Sequence, residues 1–113
     1  MAATTSKATR TLTDENFQRE VEDAQQPVLV DVWAEWCGPC RLVGPVIDEV
    51  AEQFAGRAVV GKLDADANPQ TAASLKVSAL PTVLVYRDGE VIDRIIGVQS
   101  KDRYAGALQK ALG

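Results

Sequence analysis

Cys37 and Cys40 stand three positions apart in Trp36-Cys37-Gly38-Pro39-Cys40, and shortly before them Asp31 interrupts the apolar run Val28-Leu29-Val30-Asp31-Val32-Trp33. Two thiols at that spacing and one carboxyl among apolar neighbours are the groups here that could do covalent and proton-transfer chemistry. A thiolate attacks disulfides, and a desolvated carboxyl has a raised pKa and takes a proton near neutrality. The reading that follows has Cys37 attack a substrate disulfide to give a mixed disulfide. Cys40, losing its proton to Asp31, then attacks the Cys37 sulfur and releases the reduced substrate.

The flanking elements must place these groups. Val28 to Trp33 is nearly all apolar and β-branched, the pattern of a strand covered on both faces of a parallel sheet. After Cys40, Val43, Val46, Ile47, Val50 and Phe54 recur at helical spacing; Gly56 stops that helix and Pro45 should kink it. If Pro39 occupies the first turn, Cys37 sits at the helix N-terminus, where unpaired N–H groups and the macrodipole favour a thiolate. Residues i and i+3 there have Cα atoms about 5 to 6 Å apart, within disulfide range. Asp31 is read as the proton acceptor, against the plainer alternative of a side chain reaching solvent at a sheet edge. Lys62, in a second strand pattern, either holds Asp31 electrostatically or snorkels outward. A Cys37 at the surface would permit transient dimers.

Other uses of the cysteine pair fit poorly. Zinc needs two more ligands, and the chain has no further cysteine and no histidine. A c-type haem needs histidine where Arg41 stands. A structural disulfide closing so small a loop restrains the unfolded chain little.

The 113 residues are the length of one domain, enough to bury a core without metals or multiple disulfides. A formal charge of -4 argues against nucleic-acid and anionic-membrane partners. The absence of histidine removes imidazole catalysis. No apolar run approaches the roughly 18 to 20 residues of a membrane span, and the first residues lack a secretory core, so a soluble cytoplasmic protein is expected. Residues 1–10 are read as a flexible tail and 11–113 as a single domain. Lys7 and Arg10 without acids faintly suggest a transit peptide, which would imply an organelle stroma or matrix.

Along the chain, Thr13 caps a helix with Asp14 and Glu15 in its first turn and Phe17, Val21 and Ala24 on its apolar face. Ala58 to Leu63 reads as a buried strand, and Asn68-Pro69 as an N-cap and first position of a short helix to about Leu75. Thr82–Tyr86 and Val91–Ile96 flank Asp88-Gly89, a type I′ hairpin signal. Ser100 caps a last helix carrying Tyr104, Leu108 and Leu112. The order β-α-β-α-β-α-β-β-α predicts an α/β fold, one mixed sheet with helices on both faces, although no segment is assigned to its first strand.

From about Leu12 to Leu112 the chain resembles the thioredoxin family, through Val30-Asp31-Val32-Trp33-Ala34-Glu35-Trp36-Cys37-Gly38-Pro39-Cys40-Arg41, Pro45, Lys62-Leu63-Asp64, Leu80-Pro81-Thr82, Asp88-Gly89 and Gly97. The resemblance implies the thioredoxin fold, a redox pair of Cys37 and Cys40, Asp31 deprotonating Cys40, and Lys62 near Asp31. It also implies a cis Pro81 facing the disulfide and Leu80 backbone pairing with the substrate. Trp36, Gly38, Pro39, Leu80, Pro81, Gly97 and Val98 would form the surface that docks targets. Gly38-Pro39 resembles the reductase form of the motif, where isomerases and oxidases typically carry histidine. Departures at Val32, Ser78, Ala79 and Val98 bear on target preference.

The expected activity is that of a monomeric protein-disulfide reductase maintaining cell redox homeostasis, with no bound cofactor and NADPH used indirectly through thioredoxin reductase. Its partners are that reductase and disulfide-containing target proteins. The alternatives are a non-catalytic binding subunit or assembly factor using the same apolar surface, and a disulfide isomerase or oxidant.

Overall fold

The structure is a computed structural model that describes residues 8–113. Five strands, β1 (Thr9–Leu12), β2 (Val28–Trp33), β3 (Val59–Asp64), β4 (Thr82–Arg87) and β5 (Glu90–Ile96), form one sheet in the order β1-β3-β2-β4-β5. β1 and β2 run parallel to β3, whereas β4 is antiparallel to both β2 and β5. Three α-helices join them: α1 (Gly38–Gln53), α2 (Pro69–Ser74) and α3 (Lys101–Leu112). The expected α/β class and mixed sheet are borne out.

The two-residue period of the strands sorts their side chains onto two faces. Leu29, Val60, Val83, Val85 and Ile95 meet Val43, Ile47 and Val50 of α1 and Tyr104 and Leu108 of α3. Val28, Val30, Val32, Leu63 and Leu84 meet Phe17, Val21 and Leu75 on the other face. Asp31 shares the parity of Leu29 and Lys62 that of Val60, so both point toward the side covered by α1 and α3.

Three local expectations need correction. Thr9 and Arg10, read as tail, belong to β1, which supplies the unassigned first strand; only Thr9 and Leu12 of its four residues are buried, too sparse a pattern to announce a strand. Ala8 packs half-buried against the core, and residues 1–7, with Lys7 and the part of the transit-peptide reading that rests on it, lie outside the described residues. The first helix is instead a π-helical turn at Gln18–Glu22, closed by the i+5 bond from Asp23 N to Gln18 O at 2.8 Å, although Thr13 Oγ1 does accept from Asn16 N. Asn68 holds the N-cap position of α2, but its Oδ1 accepts from Asp14 N, and Asp14 Oδ1 accepts from Thr71 N at 2.8 Å in its place. The Thr71 side chain foremost, helped by the backbone N–H groups of Thr71 and Gln70, draws the half-buried Asp14 carboxyl below its ordinary pKa, against the opposing effect of desolvation.

The other expected caps and turns form. Ser100 Oγ accepts from Arg103 N, and Asp88 and Gly89 have φ of 53° and 81°, as a type I′ turn requires. α1 continues through Pro45.

Candidate active site

β2 delivers the chain to the start of α1, where Cys37 is the N-cap and Pro39 lies in the first turn. Cys37 Sγ accepts from Cys40 N at 3.2 Å, so the helix end that needs an acceptor finds one in sulfur. The same bond would favour a thiolate at Cys37 over its protonated form. Cys37 and Cys40 are joined as a disulfide with Cα atoms 5.3 Å apart. Both residues are buried, at 3% and 5% exposure, which corrects the expectation of a surface Cys37 in this oxidised state. Ala34 packs with the two cysteines, and Trp33 and Leu80 close over them.

Of the residues expected to dock targets, Trp36, Gly38, Pro39 and Val98 are exposed, Leu80 and Gly97 are half-buried, and Pro81 is buried. Trp36 is the largest exposed apolar side chain, at 70%, and its Nε1 donates to Asp66 Oδ2 at 2.8 Å. The Leu80–Pro81 peptide is cis. Pro81 O accepts from Gly97 N at 2.9 Å, which ties the strip after β5 to the loop before β4. Gly97 has φ of 85°, a conformation that side chains other than glycine rarely adopt. Tyr104 Oη donates to Gly97 O and accepts from Gln99 N, both at 3.0 Å, so α3 pins that strip from below. The sequence marks Tyr104 only as an apolar helix position; its hydroxyl contacts depend on tertiary closeness.

Beneath α1, Asp31 is 1% exposed, and its Oδ1 has no hydrogen-bond partner among the described residues. Burial pushes its carboxyl up to about 7, opposed by the positive charge of Lys62 and reinforced by the negative charge of Asp48. The sheet-edge alternative for Asp31 is excluded, because β2 has β3 on one side and β4 on the other. Lys62 stands directly across from Asp31 in the β2–β3 register. Its ion pair goes elsewhere: Lys62 Nζ lies 3.0 Å from Asp48 Oδ1 on α1, with both side chains largely buried. The same Asp48 oxygen accepts from Thr9 Oγ1 at 3.0 Å. Asp48, Thr9 and Asp66 are the site-flanking residues that sequence reasoning missed.

A buried cysteine pair at a helix start, joined as a disulfide, in a fold that also buries a carboxyl raised to about 7, is suited to two-electron exchange with another disulfide. Among the described residues there is no cluster of three or more histidine, cysteine or acidic side chains that could hold a metal.

The family model described as Thioredoxin matches residues 8–110. The chain is 42% identical to a thioredoxin of Synechocystis sp. over 105 residues, 93% of this chain and 98% of that protein. It is 43% identical to thioredoxin 1 of Nostoc sp. over 101 residues, covering 89% of this chain and 94% of the relative. It is 45% identical to a thioredoxin of Staphylococcus aureus over 101 residues, covering 89% and 95%.

Proposed function

The chain belongs to the thioredoxin family and is a protein-disulfide oxidoreductase, and from that premise we propose how its residues divide the reaction. Cys37 is the nucleophile: its thiolate attacks one sulfur of a target disulfide, forms the mixed disulfide and expels the other target sulfur as a thiolate. Cys40 resolves the complex. Asp31 takes the Cys40 proton, the Cys40 thiolate attacks Cys37 Sγ, the intramolecular disulfide forms and the second target thiolate leaves. Two electrons pass from the dithiol to the target, and the proton on Asp31 is available to a departing thiolate.

The observation that carries this reading is the Cys37–Cys40 disulfide at the N-terminus of α1, with Cys37 Sγ accepting the Cys40 N–H. Partial ionisation of Asp31 near neutrality suits it to accept a proton and return it. Trp36, Gly38, Pro39, Leu80, Gly97 and Val98 form the docking surface, and Pro81 supports it from within. The backbone of Leu80 offers pairing to an extended target segment. Lys62 acts on Asp31 through its charge and not through a salt bridge.

Thioredoxin chemistry needs no bound cofactor. The dithiol is regenerated by thioredoxin reductase at the expense of NADPH, and the protein works as a single-domain monomer in the cytoplasm on disulfide-containing targets. Consistent with this, no helix among the described residues is long and apolar enough to cross a membrane, and the net charge of -4 disfavours nucleic acid. The test is NADPH consumption with a thioredoxin reductase and a protein disulfide. Turnover that vanishes in Cys37→Ser and in Cys40→Ser supports the reading, and turnover that survives either change overturns it.

A further inference from the structure

Asp31 and Lys62 face each other across β2 and β3, on the same side of the sheet, yet the Lys62 ammonium is drawn to Asp48. Opposite charges side by side on neighbouring strands attract one another. Here Asp48 competes successfully from α1, and Thr9 on β1 donates to the same Asp48 oxygen and fixes its position. Asp31 Oδ1, meanwhile, has no hydrogen-bond partner among the described residues. We propose that Asp48 is a positioning residue for the resolving step: by holding Lys62, with Thr9 behind it, Asp48 prevents a direct Lys62–Asp31 salt bridge and leaves Asp31 able to accept the Cys40 proton. The proposal rests on the reading in which Asp31 is that acceptor.

The groups that bear on Asp31 come from three elements. β3 contributes Lys62; α1 contributes Asp48; α3 contributes Tyr104, whose hydroxyl is held above its ordinary pKa by burial and, to a smaller extent, by the Asp31 charge. β4 places Val83 opposite Asp31 and adds no charge. Replacing Asp48 by asparagine removes a like charge and frees the ammonium, and both changes favour ionised Asp31. A carboxylate held in a salt bridge is a weaker base, so the resolving step should begin at lower pH and reach a lower plateau.

The experiment follows the Asp31 carboxyl by carbon NMR in the reduced protein, and the resolving rate of a preformed mixed disulfide by stopped flow, from about pH 5 to 9. In Asp48→Asn the Asp31 midpoint should fall by about one pH unit, a tenfold increase in the ionised fraction on the acid side, and the plateau rate should drop severalfold. Asp48→Glu, which keeps the charge, should restore most of the native profile. Thr9→Val should shift the midpoint in the same direction by less. In the Asp31→Asn background Asp48→Asn should leave the resolving rate unchanged, which a merely structural role would not do. An unmoved Asp31 midpoint in Asp48→Asn overturns the proposal while leaving the acceptor reading intact; native resolution in Asp31→Asn alone overturns both.

Discussion

Replacing Asp31 by asparagine should stabilise the protein by an amount set by pH. The carboxyl titrates at the ordinary 3.8 when the chain is unfolded and at about 7 when it is buried in β2. Below 3.8 both states hold the proton, and the residue contributes no pH dependence. Between 3.8 and 7 the unfolded chain releases the proton and the folded chain retains it, so stability falls as pH rises. Above 7 both states are ionised and the loss is complete. At about 1.4 kcal/mol for each pH unit between the two midpoints, the native protein is less stable at pH 7 than at pH 4 by about 4 kcal/mol from this residue. Asparagine is nearly the shape of the protonated acid and carries no such penalty. The assay is urea unfolding of the oxidised native and Asp31→Asn proteins at several pH values, with their difference plotted against pH so that other titrating groups cancel. The difference should be near zero at about pH 4 and reach about 4 kcal/mol at neutrality, roughly 15 °C in melting temperature for a chain of this size. Two stability curves that run parallel from acid to neutral pH would refute ionisation of buried Asp31 as the cause.

Tyr104→Phe removes the hydroxyl that bonds Gly97 O and Gln99 N, so stability should fall by roughly 1 to 2 kcal/mol in denaturant melts and KM for a protein disulfide should rise more than kcat falls. Gly97→Ala and Gly89→Ala separate two costs. Both glycines have positive φ, but a Cβ at Gly97 meets open space whereas one at Gly89 would lie 2.9 Å from Glu22 O. Thermal melts should show a loss of about 1 kcal/mol at Gly97 from backbone strain and a clearly larger loss at Gly89. Asp66→Ala frees the Trp36 indole; the Trp36 N–H resonance should move toward its solvent position while stability changes by less than about 1 kcal/mol, because the bond is exposed.

The parts of the site legible in the sequence are those written in neighbouring residues. A carboxyl inside an apolar β-branched run announces itself, and the cysteines, their intervening proline and the following helical period lie within one stretch of chain. The hairpin turn and the Ser100 cap are local in the same sense. Asp48 is not, because among Val46, Ile47, Glu49 and Val50 it has the spacing of a solvated helix face, and only the packing of α1 across β1 and β3 brings Thr9 and Lys62 to it. Asp14 likewise caps a helix that begins more than fifty residues later, through the hydrogen bond to Thr71 N. β1 is hidden for a different reason. An edge strand needs only one buried face, and two buried residues at its ends do not make an alternation.

The central claim is the division of labour between Cys37 and Cys40, and trapping tests it most directly. The reduced Cys40→Ser protein is mixed with a protein disulfide, and the covalent product is identified by non-reducing electrophoresis and mass spectrometry. The account predicts a stable mixed disulfide through Cys37, dissolved by an added dithiol, and no comparable adduct from Cys37→Ser. An adduct through Cys40 in Cys37→Ser, accumulating as fast as that through Cys37, or a well-folded Cys40→Ser protein that forms none, would contradict it.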